Sequence, residues 1–249
     1  MQRLLAPDGC PWDREQTMQS LKKYVLEEAC EVLDAIDSDQ PPAICEELGD
    51  LLLEVVFLAE LGRGRGWFGP DDVVRGITDK LVRRHPHVFG EVVVEGSDDV
   101  VKNWELIKAQ EKKGRPLLDS VPKSMPALVR AQRIGEKVQK VGFDWPDIAG
   151  SRAKVSEELG ELDRAVAGGD PGALEEELGD VLFALVNLAR HIGLDAEGAL
   201  RKTIHKFEHR FAHVETRVRE RHGGWPSGNG EKLALEELDR YWEEAKRNE

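Results

Sequence analysis

The sequence predicts an all-α protein made of two helical bundles in tandem, and three observations carry that prediction. Apolar residues recur at helical spacing along most of the chain, with Val92-Val93-Val94 as the one β-like run. A five-carboxylate pattern occurs twice at a fixed displacement of 130 positions: Glu27, Glu28, Glu31, Glu47 and Asp50 return as Glu157, Glu158, Glu161, Glu177 and Asp180. Between the copies, Gly114 to Val121, with Pro116 and Pro122, has the composition of an inter-domain connection. The expected division is residues 1–118 and 119–249.

In the first unit, Leu21, Tyr24, Val25, Ala29, Val32, Leu33 and Ile36 mark a helix from about Gln16 to Asp37. Pro41-Pro42 breaks it and opens the next, from about Ala43 to Gly62. Gly62 to Pro70 reads as a loop before a helix through about Arg84, which His85-Pro86-His87 ends, and a further helix covers roughly Asp98 to Lys113. The second unit repeats the plan, with helices near Pro126–Val141, Ile148–Ala167, Pro171–Ile192, Asp195–Arg221 and Glu231–Arg247. A glycine-rich loop, Gly223 to Gly230, precedes the last of these. The repeat extends past the acids: Lys80 and Arg84 are answered by Lys206 and Arg210, and Trp104 and Lys108 by Trp242 and Lys246.

Composition narrows the function. With 48 acidic against 35 basic residues the chain carries a net charge of −13, which argues against nucleic acid as a partner. A small phosphorylated ligand stays open, because a bound divalent cation reverses the local field. Three cysteines without C-x-x-C spacing (Cys10, Cys30, Cys45) point to reduced thiols. No apolar run is long enough to span a bilayer and no signal peptide is evident, so a cytoplasmic protein is expected.

The carboxylates define the chemistry. Glu157 and Glu161 are i,i+4, Glu158 and Glu161 are i,i+3, and Glu177 and Asp180 are i,i+3, so each set shares a helix face. If the two helices pack antiparallel through the short Gly168–Pro171 connection, both acid faces converge. Crowded carboxylates repel, and an all-oxygen donor set with no nearby histidine suits Mg²⁺, or Mn²⁺ in its place. An E-E-x-x-E run alone is usually a solvated helical face; its duplication with an E-L-G-D partner favours a metal site. Lys206 and Arg210, i,i+4, can clamp phosphate oxygens, and Trp242 with Lys246 one turn later suits a base beside a phosphate. Asn187 interrupts the apolar run Phe183–Ala189 and needs a partner if buried.

These motifs resemble the MazG family of nucleoside triphosphate pyrophosphohydrolases over almost the whole chain. In the first unit they are C-P-W-D-R-E-Q-T, E-E-L-G-D, R-R-H-P-H-V-F-G and N-W-E-L-I-K; in the second, V-G-F-D-W, E-E-L-G-E-L, E-E-E-L-G-D-V-L-F-A-L-V-N-L-A-R-H and K-F-E-H-R-F. The resemblance implies an all-α bundle that forms homodimers and converts NTPs or dNTPs to monophosphate and pyrophosphate with Mg²⁺ and broad base tolerance. It places Glu158, Glu161, Glu177 and Asp180 on metal ligands, and Lys154, Glu157, Lys206, Arg210, Trp242 and Lys246 on nucleotide-contacting or catalytic positions. Glu28, Glu31, Glu47 and Asp50 are the matching metal positions of the first unit. A lysine expected four residues before Glu177 is Ala173 here, and the helix before C-P-W-D looks shortened.

Two rivals compete. A di-iron carboxylate bundle requires Glu-x-x-His, which neither E-L-G-D motif carries. A non-catalytic acidic scaffold leaves the repeated K-x-x-x-R and W-E-x-x-K elements unexplained. The units also differ at their flanks: Tyr24 and Phe57 stand where the second has Lys154 and Asn187. Catalysis is therefore expected in the C-terminal unit, and dimerisation or an accessory role in the N-terminal one.

Overall fold

The computed structural model describes residues 1–111, 114–226 and 232–248, and among these every regular element is a helix. The chain forms two compact units, Met1–Lys113 and Gly114–Glu249. The boundary falls ahead of residue 118 because the 3₁₀ turn Leu117–Ser120 packs on a helix of the second unit.

The first unit holds α1 (Gln2–Leu5), α2 (Pro11–Glu15), α3 (Lys22–Ser38), α4 (Pro41–Gly64), α5 (Pro70–Arg84), α6 (Pro86–Phe89) and α7 (Ser97–Glu111). Its centre is the α3–α4 hairpin, with α5 against α4 and α7 against α5. Helix α3 starts later than the apolar pattern suggests. Thr17 and Ser20 exchange backbone-to-hydroxyl bonds of 2.9 and 3.1 Å, a local turn that competes with helix. Helix α4 begins at Pro41 itself, since a proline at the first helical position forfeits no hydrogen bond. Val92–Val94 is not a strand: among the described residues it has no partner run, and the Val92 N–H donates to the Pro86 carbonyl.

The second unit holds α8 (Ala127–Gln139), α9 (Ile148–Gly168), α10 (Pro171–His191), α11 (Ala196–His222) and α12 (Leu235–Arg247). The α9–α10 hairpin packs on α8, and α11 pairs with α12 around a core of Val214, Val218 and Tyr241. The expected start of the last helix, Glu231, and part of the Gly223–Gly230 loop lie outside the described residues, as does Lys113, the expected end of the Asp98–Lys113 helix.

The two hairpins close in the same way. In the second unit Gly169 is left-handed (φ +70°), Asp170 caps α10 by accepting from the Gly172 N–H, and Pro171 is the first helical residue. In the first, Asp39 (φ +53°) is the left-handed residue and Pro41 the first helical one, while Gln40 between them makes no side-chain cap. Each hairpin also leaves an apolar stripe exposed: Leu48, Leu52 and Val55 on α4, and Leu178, Leu182 and Leu185 on α10. No described helix is long and apolar enough to cross a membrane.

Candidate metal and nucleotide site

Helix α9 is set by Asp147, whose carboxylate accepts from the Ala149 N–H, and it carries Lys154, Glu157, Glu158 and Glu161 on successive turns. The tight turn at Gly169–Asp170 sends α10 back alongside, bringing Glu177 and Asp180 to the same end of the hairpin. Glu158, Glu161 and Glu177 each offer an oxygen within 4.8 Å of the others. Asp180 stands outside this trio, yet its charge acts on Glu177. Burial first, then Glu161, Asp180 and Glu158, hold the Glu177 carboxyl above the usual glutamate range. One Glu177 oxygen is buried with no hydrogen-bond donor among the described residues. An orphaned buried oxygen among converging carboxylates is what a hard divalent cation would satisfy, so the donor set fits one.

Two cations already sit among the acids. Lys154 Nζ lies 2.6 Å from buried Glu158 and 3.1 Å from Glu157, and its pKa is raised by Glu158 and then Glu157. Arg164, not singled out by the sequence, pairs with Glu161 at 3.0 Å. It lines an open groove of about 400 Å³ together with Glu161, Ala165, Asp170, Ala173 and Glu177. The groove thus has an arginine across from the position where a lysine was expected and Ala173 is found.

Lys206, Arg210, Trp242 and Lys246 gather on the α11–α12 pair. The Arg210 guanidinium lies 5.7 Å from the Trp242 ring centre, and Phe207 packs on the same ring at 4.9 Å. Trp242 is half-buried against the Val214–Val218–Tyr241 core, and Lys246 is bonded to Glu243 at 2.7 Å. Lys206 is exposed.

A second cavity, of about 450 Å³, opens between α8, the loop before α9, and α10. Phe143, Trp145 and Phe183 line it, with Asn187 and Arg190 in its wall. Arg190 donates to the Asn187 carbonyl oxygen from Nε (2.9 Å) and Nη2 (2.6 Å), and from Nη2 to Asp144 at 2.6 Å. His191 also meets Asp144, at 2.9 Å. Arg190 and then His191 hold the Asp144 carboxyl below its ordinary range against the opposing effect of burial. The sequence marks Asn187, and it marks Trp145 as a tryptophan between Asp144 and Asp147 ahead of the acid helix, as Trp12-Asp13 stands ahead of the first; it gives no sign that Phe143 and Phe183 join them in one cavity, since a loop carries no periodicity.

The first unit keeps the acids but not their surroundings. Glu28, Glu47 and Asp50 form a trio within 4.8 Å, with Glu31 close enough to bond Glu28. Burial, then neighbouring acids, raise both Glu28 and Glu47. Tyr24 packs on Trp12 where Lys154 binds its glutamates, and Phe57, 2% exposed, fills the place of Asn187. The Arg–Trp pair is retained: Arg84 lies 5.5 Å from the Trp104 ring centre and, with Arg83, holds Glu111 at a pKa of about 2.

The MazG nucleotide pyrophosphohydrolase domain matches this chain twice, at residues 16–89 and 150–215, each match spanning one acid hairpin. The chain is 47% identical over 251 residues to the nucleoside triphosphate pyrophosphohydrolase/pyrophosphatase MazG of Thermotoga maritima, covering 99% of this chain and 92% of that one. It is 46% identical over 255 residues to the nucleoside triphosphate pyrophosphohydrolase of Escherichia coli K12, covering 100% of this chain and 95% of that one. Uncharacterized protein YabN of Bacillus subtilis is 46% identical, with this chain spanning 50% of its length. With both acid hairpins matched and whole-chain identity to these relatives, the chain belongs to the MazG family of nucleotide pyrophosphohydrolases.

Proposed function

We propose that this chain is a Mg²⁺-dependent nucleoside triphosphate pyrophosphohydrolase whose second unit holds the active site. The observation that carries this reading is the convergence of Glu158, Glu161 and Glu177, with a Glu177 oxygen left without a donor, inside a MazG domain. Glu158, Glu161, Glu177 and Asp180 hold the cation, with Mn²⁺ able to replace Mg²⁺. When bound, it supplies charge neutralisation for the triphosphate oxygens and makes water more acidic.

In the reaction, the oxygen of water forms a bond to the α-phosphorus and the bond from that phosphorus to the bridging α–β oxygen breaks. The products are a nucleoside monophosphate and pyrophosphate. Glu157 and Glu161 are the candidates for the base that takes the proton from water, and Glu157 is favoured because it stands outside the carboxylate trio. Lys154, bonded to Glu157 and Glu158, holds that carboxylate in place. Arg164, beside Ala173 in the groove, supplies the cation that a lysine at 173 would have given. Lys206, Arg210, Trp242 and Lys246 receive the leaving pyrophosphate and the adjoining part of the nucleotide.

The first unit is assigned to dimerisation and accessory work, because Tyr24 and Phe57 remove a cation and an amide from its site. The exposed stripes on α4 and α10 support a homodimer. Three free cysteines, two of them exposed, support a cytoplasmic setting. The test is pyrophosphate release from mixed dNTPs with Mg²⁺, and again with chelator. No release with Mg²⁺ at any substrate overturns the activity, and a stable monomer at micromolar concentration in sedimentation overturns the dimer.

A further inference from the structure

The two arginines that open the first unit's R-R-H-P-H motif take no part in the chemistry above. They are the last residues of α5, and both reach across to Glu111, the last residue of α7. Arg83 donates from Nε and from Nη2 to one carboxylate oxygen, each at 2.8 Å. Arg84 donates from Nη2 to the other oxygen at 2.5 Å, with its Nε 3.5 Å from the first. Among the described residues, neither arginine pairs with any other acid.

The fork is built before any ligand arrives. Arg84 has a side chain only 15% exposed, and its guanidinium lies 5.5 Å from the Trp104 ring centre. His85 meets the same ring edge-on at 5.0 Å and is itself tied to the Leu81 carbonyl at 2.7 Å. Arg83, at 55% exposed, leaves one side of the contact open to solvent. Glu111 is a fully charged occupant near neutrality, since Arg84 and then Arg83 hold its pKa at about 2.

The occupant does not balance the fork. Two guanidiniums against one carboxylate leave one positive charge over, in a chain whose net charge is −13. A terminal phosphate brings about two negative charges and three acceptor oxygens, which matches two planar forks better than a carboxylate does.

We infer that Arg83 and Arg84 form an anion site for the phosphate chain of a polyphosphate, free or carried by a nucleoside, and that Glu111 is the internal anion it displaces. The site belongs to the first unit and is made of cations, so it needs neither a divalent metal nor hydrolysis. It is independent of the hydrolase reading of the second unit. The Trp104 ring is already engaged by Arg84 and His85, so phosphate is recognised and the base is not.

Calorimetry on the full chain, in phosphate-free buffer stripped of metal, tests this with inorganic tripolyphosphate and with dATP. Without metal, the crowded acids of both units repel either ligand. Wild type should bind tripolyphosphate at millimolar concentration, and Glu111→Gln, which removes the competing charge, should bind it at least about tenfold more tightly. The gain should be the same for dATP and should vanish when Arg84→Gln is added. A plain tie between α5 and α7 predicts no such gain, so unchanged affinity in folded Glu111→Gln overturns the inference. A gain that survives Arg84→Gln overturns it too, and a larger gain for dATP than for tripolyphosphate overturns recognition by phosphate alone. Should Glu111→Gln not fold, Arg83→Gln decides: it should weaken the wild-type binding of tripolyphosphate. Equal binding there, or none to wild type at millimolar concentration, overturns the site.

Discussion

Lys154 Nζ lies 2.6 Å from Glu158 and 3.1 Å from Glu157, so a single cation ties the buried acid of the second unit to the exposed one beside it. The first unit has Tyr24 at that position and leaves Glu28 among acids alone. The change from Tyr24 to Lys154 in a duplicated pattern thus gives the buried glutamate of the second site a counter-charge that the first lacks.

Replacing Lys154 with methionine should leave buried Glu158 without its counter-charge. We expect a lower Tm in the presence of chelator, and a larger rise in Tm on adding Mg²⁺ than wild type shows, since the metal then takes over the counter-charge that Lys154 gave to Glu158. Thermal denaturation across a Mg²⁺ titration checks both. Equal metal-induced shifts in the two proteins would contradict the electrostatic role given to Lys154.

Glu161→Ala and Asp180→Ala should each reduce kcat for pyrophosphate release to below about a tenth of wild type at saturating Mg²⁺ while the fold persists. Asp50→Ala, the same change in the first unit, should retain most of the activity. Steady-state assays with circular dichroism decide the matter, and comparable losses from Asp50→Ala and Asp180→Ala in an intact dimer would make the first unit catalytic too.

Glu54 is 8% exposed and has an oxygen with no donor among the described residues, whereas Ala184 holds the equivalent place in the second unit. Burial raises its pKa above the ordinary glutamate value. Between the unfolded and folded pKa values the folded chain binds more protons than the unfolded one, so stability falls as pH rises through that window. Glu54→Gln should therefore be more stable than wild type by about 1 kcal/mol at pH 7 to 8, with the gap closing toward about pH 4. Denaturant unfolding at several pH values measures it.

Asp39 occupies the left-handed conformation that Gly169 fills in the second hairpin. A Cβ is disfavoured there, though aspartate tolerates it better than most residues. Asp39→Gly is expected to raise stability by about 0.5 kcal/mol with activity unchanged, read as a shift in the denaturant midpoint at constant m-value.

How far the sequence could be read depended on what each feature asks of the chain. Helix α9 was legible to within a residue at either end, because Asp147 caps it and Gly169 stops it, and both signals are local. The start of α3 was not, because the hydroxyls of Thr17 and Ser20 compete with the helix while leaving the apolar spacing intact. The acids were legible from their duplication. The two trios nevertheless differ in membership, Glu28–Glu47–Asp50 against Glu158–Glu161–Glu177, because Lys154 and Arg164 fix their partners in the second unit while Tyr24 and Asp34 stand in the first. The Asp144–Arg190–Asn187 network joins a loop to the far end of α10, and no spacing rule announces such a contact.

The hairpin turn at Gly169–Asp170–Pro171 also bears on the order in which the protein folds. Glu158 and Glu177 meet across a loop that costs little entropy to close, so their helices can pair before the rest of the unit has collapsed. Substitutions at this turn should then slow refolding, while those in the Val214–Val218–Tyr241 core should mainly quicken unfolding. The carboxylates would be gathered early on the folding pathway, and a divalent ion present at that stage would act on the rate of folding as well as on the finished enzyme.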